Sequence, residues 1–243
     1  PSDNDFYMVG EVYNYYVSNG RIYDYGDKKV DFYDNGFTAL INFDFKTDAH
    51  HSYDSIFSKY DTILHGPLKN KTILNYISSH DDGGPFDKER KRTYESATKL
   101  MLTQGGAQIY YGDETARSLS VEAKGDAVLR SYMNWDELQT KDKKQLLIHW
   151  QKLGRFRNDH PSIGAGRHKK LNNAPYVFYR SLTRENINDE TIVALDVKTK
   201  TELDISSILK NGKLIDKYNN IQYTVNDGKL TLNPGAVILL EKI

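Results

Sequence analysis

The sequence contains no cysteine, which excludes disulfides, thiol chemistry and cysteine-based zinc sites but leaves the cellular compartment open. It has no long apolar run: stretches such as Ala236–Leu240 fall far short of the roughly 20 residues that a membrane-spanning helix needs. It has no excess of either charge, with 33 Lys plus Arg against 33 Asp plus Glu. It has no basic block of the kind that tracks phosphates either, so the composition points away from nucleic acid and anionic membrane and towards an uncharged partner. The chain opens at Pro1 without a charged-then-apolar leader; the expectation is that a signal peptide is absent or removed and that the start is a cut. What the sequence does have is tyrosine, 18 in 243 residues. Tyr13, Tyr15, Tyr16, Tyr23, Tyr25 and Tyr33 fall in loop-like stretches, where exposed rings suit stacking on flat apolar faces such as sugar rings, although scattered surface aromatics are ordinary.

Short β-prone runs alternate with helical patterns over the first 160 or so residues. Phe6–Glu11, Gly36–Phe43, Thr72–Ser78 and Gly106–Tyr111 read as buried strands. Tyr53, Ile56, Phe57, Tyr60, Ile63 and Leu64 recur at helical spacing, as do Tyr94, Ala97, Leu100 and Met101, and later Leu146, Leu147, Trp150, Leu153 and Phe156. This alternation, with apolar runs that lack a two-residue period, predicts four parallel βα units. Beyond Ser162 the helical period fades into Tyr176–Leu182, Thr191–Val197, a hairpin over Thr224–Leu232 turning at Asp227-Gly228, and Ala236–Leu240. The expected organisation is an α/β unit over 1–163 and an antiparallel β domain over 164–243, joined near Gly164-Ala165-Gly166.

The third strand ends in His80, Asp81 and Asp82 before Gly83-Gly84. By themselves these residues suit a solvated turn equally well. The first strand ends in Glu11, and in a parallel array all strand C-termini lie at one end, so Glu11 and Asp81 should share a face. Two carboxylates on such a face can cleave a glycosidic bond, one protonating the leaving oxygen and the other stabilising an oxocarbenium-like centre. The acid would need a pKa raised by burial and nearby negative charge, while its neighbour stays ionised through hydrogen bonds.

Four segments, in order, carry a resemblance: Val9-Gly-Glu-Val12, Asn75-Tyr-Ile-Ser-Ser-His-Asp81, Gly106-Ala-Gln-Ile-Tyr-Tyr-Gly-Asp-Glu114 and Gly125-Asp-Ala-Val-Leu-Arg-Ser-Tyr-Met-Asn-Trp135. They resemble segments of the α-amylase family of retaining glycoside hydrolases. The resemblance implies the C-terminal half, strands 5 to 8, of a (β/α)8 TIM barrel followed by a small antiparallel β-sandwich, domain C. It makes Glu11 the general acid/base, Asp81 the transition-state stabiliser and His80 a substrate donor. It also matches Asp126 and Arg130 to donor-side sugar contacts, although their spacing equally suits a surface i,i+4 ion pair. Asp82 departs from the general family pattern and stays outside the implied set.

The family's nucleophile is an aspartate in a Gly-Phe-Arg-x-Asp type segment on the fourth strand, and the sequence contains no such segment. The expectation is therefore α-1,4-glucan hydrolysis on starch, glycogen or maltooligosaccharides, with this chain supplying the acid/base and stabiliser but not the nucleophile. Its implied partners are an α-glucan and the N-terminal half of the barrel, and the isolated chain should be inactive. No cofactor is expected in this chain; the resemblance leaves calcium open for the full-length enzyme. A polymeric substrate favours an extracellular, periplasmic or cell-surface location. Two other readings stand beside this one: a non-catalytic carbohydrate binder on a decayed barrel, and a related α-1,6-glucosidase, cyclodextrin hydrolase or transglycosylase.

Overall fold

The computed structural model describes residues 6–243. The chain divides into two compact units, Pro1–Trp150 and Gln151–Ile243, so the division falls inside a helix and not at the Gly164–Gly166 stretch. The first unit contains β1 (Val9–Gly10), a hairpin of β2 (Ile22–Asp24) and β3 (Lys29–Asp31), then β4 (Ala39–Asn42), α1 (Phe45–Asp48) and α2 (Tyr53–His65). It continues through β5 (Thr72–Asn75), α3 (Thr93–Leu102) and β6 (Gly106–Ala107), and α4 (Lys141–Asp159) carries the chain into the second unit. Among the described residues, β1, β4, β5 and β6 form one parallel sheet in that order. These are the parallel strands that the alternation predicts, arranged as the partial barrel that the resemblance implies.

The strands are shorter than the apolar runs that announce them. Of Phe6–Glu11 only Val9 and Gly10 pair, with Ala39 and Leu40. A Cβ on Gly10 would lie 2.7 Å from the Phe37 ring and 3.1 Å from Leu40, so the close approach of β1 to β4 depends on the missing side chain. Helix α2 begins where Ser52, in extended conformation, accepts a hydrogen bond from the Ser55 amide at 3.2 Å. It buries Ile56, Phe57 and Tyr60, and each such side chain contributes about 1.5–3 kcal/mol on leaving water. Tyr53, Ile63 and Leu64 on the same predicted face are only half-buried.

A polar chain crosses this apolar sheet. Asn42 and Asn75, opposite each other on β4 and β5, are both fully buried. Asn42 Nδ2 donates to Asn75 Oδ1 at 2.9 Å and to the Tyr60 hydroxyl at 2.8 Å, and Asn75 Nδ2 donates to the Gln104 carbonyl at 2.9 Å. The Tyr60 hydroxyl in turn donates to Asp48 at 2.9 Å. Each buried amide thus finds partners, as burial of polar groups requires.

The loop tyrosines divide into two sets. Tyr13, Tyr16 and Tyr25 are exposed and Tyr23 is half-buried, whereas Tyr15 and Tyr33 are buried at 0% and 1% exposure, so these two are not available for stacking. Their hydroxyls lie 3.3 Å apart; Tyr15 donates to the Gly20 carbonyl at 2.6 Å and Tyr33 to the Thr72 carbonyl at 3.1 Å. Burial pushes the Tyr15 phenol up to about 12.

The second unit contains α5 (Pro161–Ala165), β7 (Arg167–Asn172), β8 (Tyr176–Arg184), β9 (Ile187–Val197), β10 (Thr201–Asp204), β11 (Gly212–Asp216), β12 (Ile221–Asn226), β13 (Lys229–Leu232) and β14 (Gly235–Lys242). These eight strands among the described residues form one antiparallel sheet ordered β10-β13-β12-β11-β14-β9-β8-β7. Val177 of β8 and Leu203 of β10, from opposite ends of that order, share a core with Val225, Leu230 and Ile238. The sheet therefore folds over itself and encloses its apolar face. The turn between β12 and β13 has Asp227 and Gly228 at φ 47° and 78°, the two positive angles that a primed hairpin turn requires.

Candidate active site

Parallel pairing sets the level of the strand ends. Gly10 lies opposite Leu40, Leu40 opposite Ile73, and Leu74 opposite Gly106. Glu11 thus leaves the sheet at the level of Ile41 and Leu74, at the same end from which β5 continues towards Asp81. The β5 exit loop is closed at its neck by the Phe86 amide donating to the Ile77 carbonyl at 2.8 Å. His80 and Asp81 stand exposed at its tip, with His80 Nε2 3.3 Å from Asp81 Oδ2. Ser79 Oγ donates to the other Asp81 oxygen at 3.1 Å, leaving Asp81 a hydrogen-bonded but solvent-facing carboxylate.

Tyr76 packs between the segments that carry the two predicted acids. Its ring is buried and meets Phe43 edge-on at 5.8 Å, and Phe43 meets Tyr13, two residues beyond Glu11, at 5.7 Å. Its hydroxyl donates to Asp82 Oδ2 at 2.5 Å. Burial, that hydrogen bond and the charges of Asp82, Asp81 and Glu11 together raise the phenol far above its ordinary value. Glu11 itself is exposed, so the burial that an acid role calls for is not supplied by the described residues around it.

Arg130 does not pair with Asp126 four residues before it; its Nε donates to the His80 carbonyl at 2.9 Å, which brings it to the Asp81 loop. Asp126 is exposed on the short turn Gly125–Leu129 and joins none of these contacts among the described residues. Exposed Tyr13, Tyr132 and Trp135 lie in the segments that carry Glu11 and Arg130.

The groups that hold these loops escaped the sequence reading. Asp113, fully buried, accepts from Ser78 Oγ at 2.7 Å on both oxygens and pairs with Arg90 Nη1 at 2.9 Å. Burial nevertheless raises its pKa, against the lowering effects of Arg90 and Ser78. Arg90 Nε also donates to the Arg117 carbonyl at 2.7 Å. The buried Arg117 guanidinium lies over the Tyr111 ring, 3.9 Å from its centroid, and donates to the carbonyls of Leu129 and Ser131, each at 3.2 Å, on either side of Arg130. Asp113 stands inside the Gly106–Glu114 segment, so its position was visible although its partner was not. Among the described residues no three His, Asp or Glu side chains converge as a cation cage.

This arrangement can be set beside known proteins. No protein-family model matches the sequence. The periplasmic α-amylase of Escherichia coli (strain K12) is 34% identical over 178 residues, 70% of this chain and 23% of that protein. The chain belongs to the α-amylase family. Another relative within reach of this α-amylase-family chain is a cyclomaltodextrinase from Bacillus sp, 26% identical over 206 residues, 79% of this chain and 33% of that protein. The α-amylase of Geobacillus thermoleovorans, solved with acarbose, superposes on 98% of this chain and 53% of its own, with a TM-score of 0.68 and 17% identity. That likeness shows the α-amylase fold, a partial barrel followed by domain C. The chain spans a quarter to a third of the curated relatives and about half of the solved enzyme.

Proposed function

We propose that the chain forms the acid/base side of an α-glucan-cleaving site. In this reading Glu11 protonates the glycosidic oxygen and later draws a proton from the incoming water, and Asp81 stabilises the oxocarbenium-like centre. His80 and Arg130 bind sugar hydroxyls and Asp126 contacts a donor-side unit. A retaining mechanism sets the nucleophile and acid/base about 5 to 5.5 Å apart, and the nucleophile has no candidate segment here. The observation that carries the reading is that Glu11 and the loop carrying Asp81 leave the same end of one parallel sheet, with the Tyr13–Phe43–Tyr76 ring contacts between their segments. Exposed Tyr13, Tyr132 and Trp135 supply faces on which sugar rings can stack. A glucan-cleaving site also accords with the acarbose held by the Geobacillus enzyme, and an extracytoplasmic location with the periplasmic relative.

The Bacillus relative favours a second substrate class, cyclic α-glucans, served by the same acids. Maltotriose and a cyclodextrin titrated separately into the 243-residue chain distinguish the two by relative affinity. The isolated chain should show no turnover of starch or maltooligosaccharides. Turnover at the level of a complete amylase would overturn the assignment of half a reacting pair. In an enzyme that includes a fourth-strand nucleophile, Glu11→Gln should abolish cleavage of poor leaving groups, and retained activity would remove Glu11 from its role.

A further inference from the structure

Asp82 had no role in the sequence reading, and its surroundings give it one. It sits beside the exposed Asp81, yet its own side chain is 15% exposed and turns inwards. Both its oxygens meet the ammonium of Lys46 on α1, one also accepts from Tyr76, and the other accepts from the Gly84 amide at 3.2 Å. Lys46 is itself mostly covered, at 19% exposed. Burial alone would raise the Asp82 carboxyl; Lys46, Tyr76 and Gly84 outweigh it and hold the group below the ordinary carboxylate value. The carboxylate is therefore a charged anchor at which three parts of the chain meet: the helix after β4, the first residue after β5, and the far side of the β5 exit loop.

We propose that Asp82 is a positioning residue, which fixes the tip of the β5 exit loop through Lys46 and Tyr76 and so sets where Asp81 and His80 stand relative to Glu11. The tip needs such an anchor because its other contacts are weak ones. His80 and Asp81 face solvent, and their mutual contact at 3.3 Å and the Ser79 hydrogen bond at 3.1 Å lie within the loop itself. Among the described residues Arg130, on the opposite flank, reaches the tip from outside through the His80 carbonyl, while Asp113 holds Ser78 at the base of the loop. The anchor also connects the two acids. Tyr76 abuts Phe43, which abuts Tyr13 in the Glu11 segment, so displacement of Asp82 is transmitted through packed rings to the other side of the site. A turn-forming aspartate would satisfy the Gly84 amide and nothing more; the ion pair and the phenol are what a turn does not need.

This inference rests on the glucan-binding reading for its ligand but not for its structural readout. Asp82→Asn, Lys46→Met, Lys46→Arg and the double variant Lys46→Met/Asp82→Asn are compared in the 243-residue chain by amide hydrogen exchange over residues 78–84 and by calorimetric titration with maltotriose. Loss of the anchor should speed exchange at these amides about 10- to 100-fold, the equivalent of one charge-assisted hydrogen bond. The double variant should add little to either single one, and Lys46→Arg should stay within about twofold of the wild type. Maltotriose should bind Asp82→Asn at least tenfold more weakly while the overall unfolding midpoint moves little. Unchanged exchange in Asp82→Asn, or additive effects in the double variant, would overturn the positioning role. So would wild-type affinity in Asp82→Asn. If the wild type binds no maltotriose while the exchange pattern holds, the glucan reading falls and the anchor stands.

Discussion

Arg90→Met tests how the site's supporting loops are held. Arg90 and Asp113 lie 2.9 Å apart with side chains 11% and 1% exposed. At an effective dielectric constant of 20, charges at that separation attract by about 6 kcal/mol, most of it offset by the loss of hydration. Removing one partner leaves that cost without its return, and such lesions typically destabilise by about 3–5 kcal/mol. Methionine fills much of the apolar stem of arginine, so packing changes little. The loss should therefore fall near 3 kcal/mol, read from the urea midpoint at constant m. Asp113→Asn, which keeps an acceptor for Ser78, should cost less. The pH dependence has a definite sign. Burial already raises the Asp113 carboxyl, and without Arg90 it rises further, so the variant favours the protonated form. Its deficit should be largest at pH 7 and shrink towards pH 5 as Asp113 takes up a proton. A deficit under 1 kcal/mol, or one that grows as the pH falls, would refute the reasoning.

His160 places Nδ1 2.8 Å from Asp189 and Nε2 2.7 Å from Glu241. Burial would raise Asp189, but His160 and the Ser162 amide hold it below its ordinary value, so it adds stability above about pH 4 that is lost as the pH falls through its lowered folded-state value. His160→Gln should cost about 1–3 kcal/mol at pH 7 and flatten that acid loss in thermal unfolding from pH 7 to 3; parallel pH profiles would count against the clasp. Gly112 and Gly26 both have positive φ, 85° and 90°, but a Cβ on Gly112 would meet Arg117 Cβ at 2.4 Å while Gly26 has open space. Gly26→Ala should cost about 1–2 kcal/mol and Gly112→Ala about 1–3 kcal/mol more, so equal losses on calorimetric unfolding would contradict the crowding.

Much of this molecule could be read from local pattern because local pattern dictates it. The apolar face of Tyr53–Leu64 announced α2, and Asp227-Gly228 announced its hairpin, since helical period and turn conformation are properties of a few adjacent residues. The shared end of Glu11 and Asp81 was legible too, because parallel strands permit nothing else. What stayed hidden depends on distant partners. Tyr15 and Tyr33 read as exposed because loops have no period, and their burial rests on each other's hydroxyl and on carbonyls of Gly20 and Thr72. Asp82 looked like a turn former until Lys46, 36 positions away, came into contact with it. The exposure of Glu11 was equally invisible, since burial at a strand end is decided by whatever loops fold over it.

The buried amides of Asn42 and Asn75 have a consequence for how the sheet is assembled. Apolar strands such as Ala39–Asn42 and Thr72–Asn75 could slide past each other by two residues and still bury similar surfaces. Such a slip would break the hydrogen bond between the Asn42 and Asn75 amides, at a cost of about 1–3 kcal/mol for each group left unpaired. The pair therefore acts as a notch in an otherwise smooth rail. It favours one alignment of β4 with β5, and with it the level at which the chain leaves β5 towards Asp81.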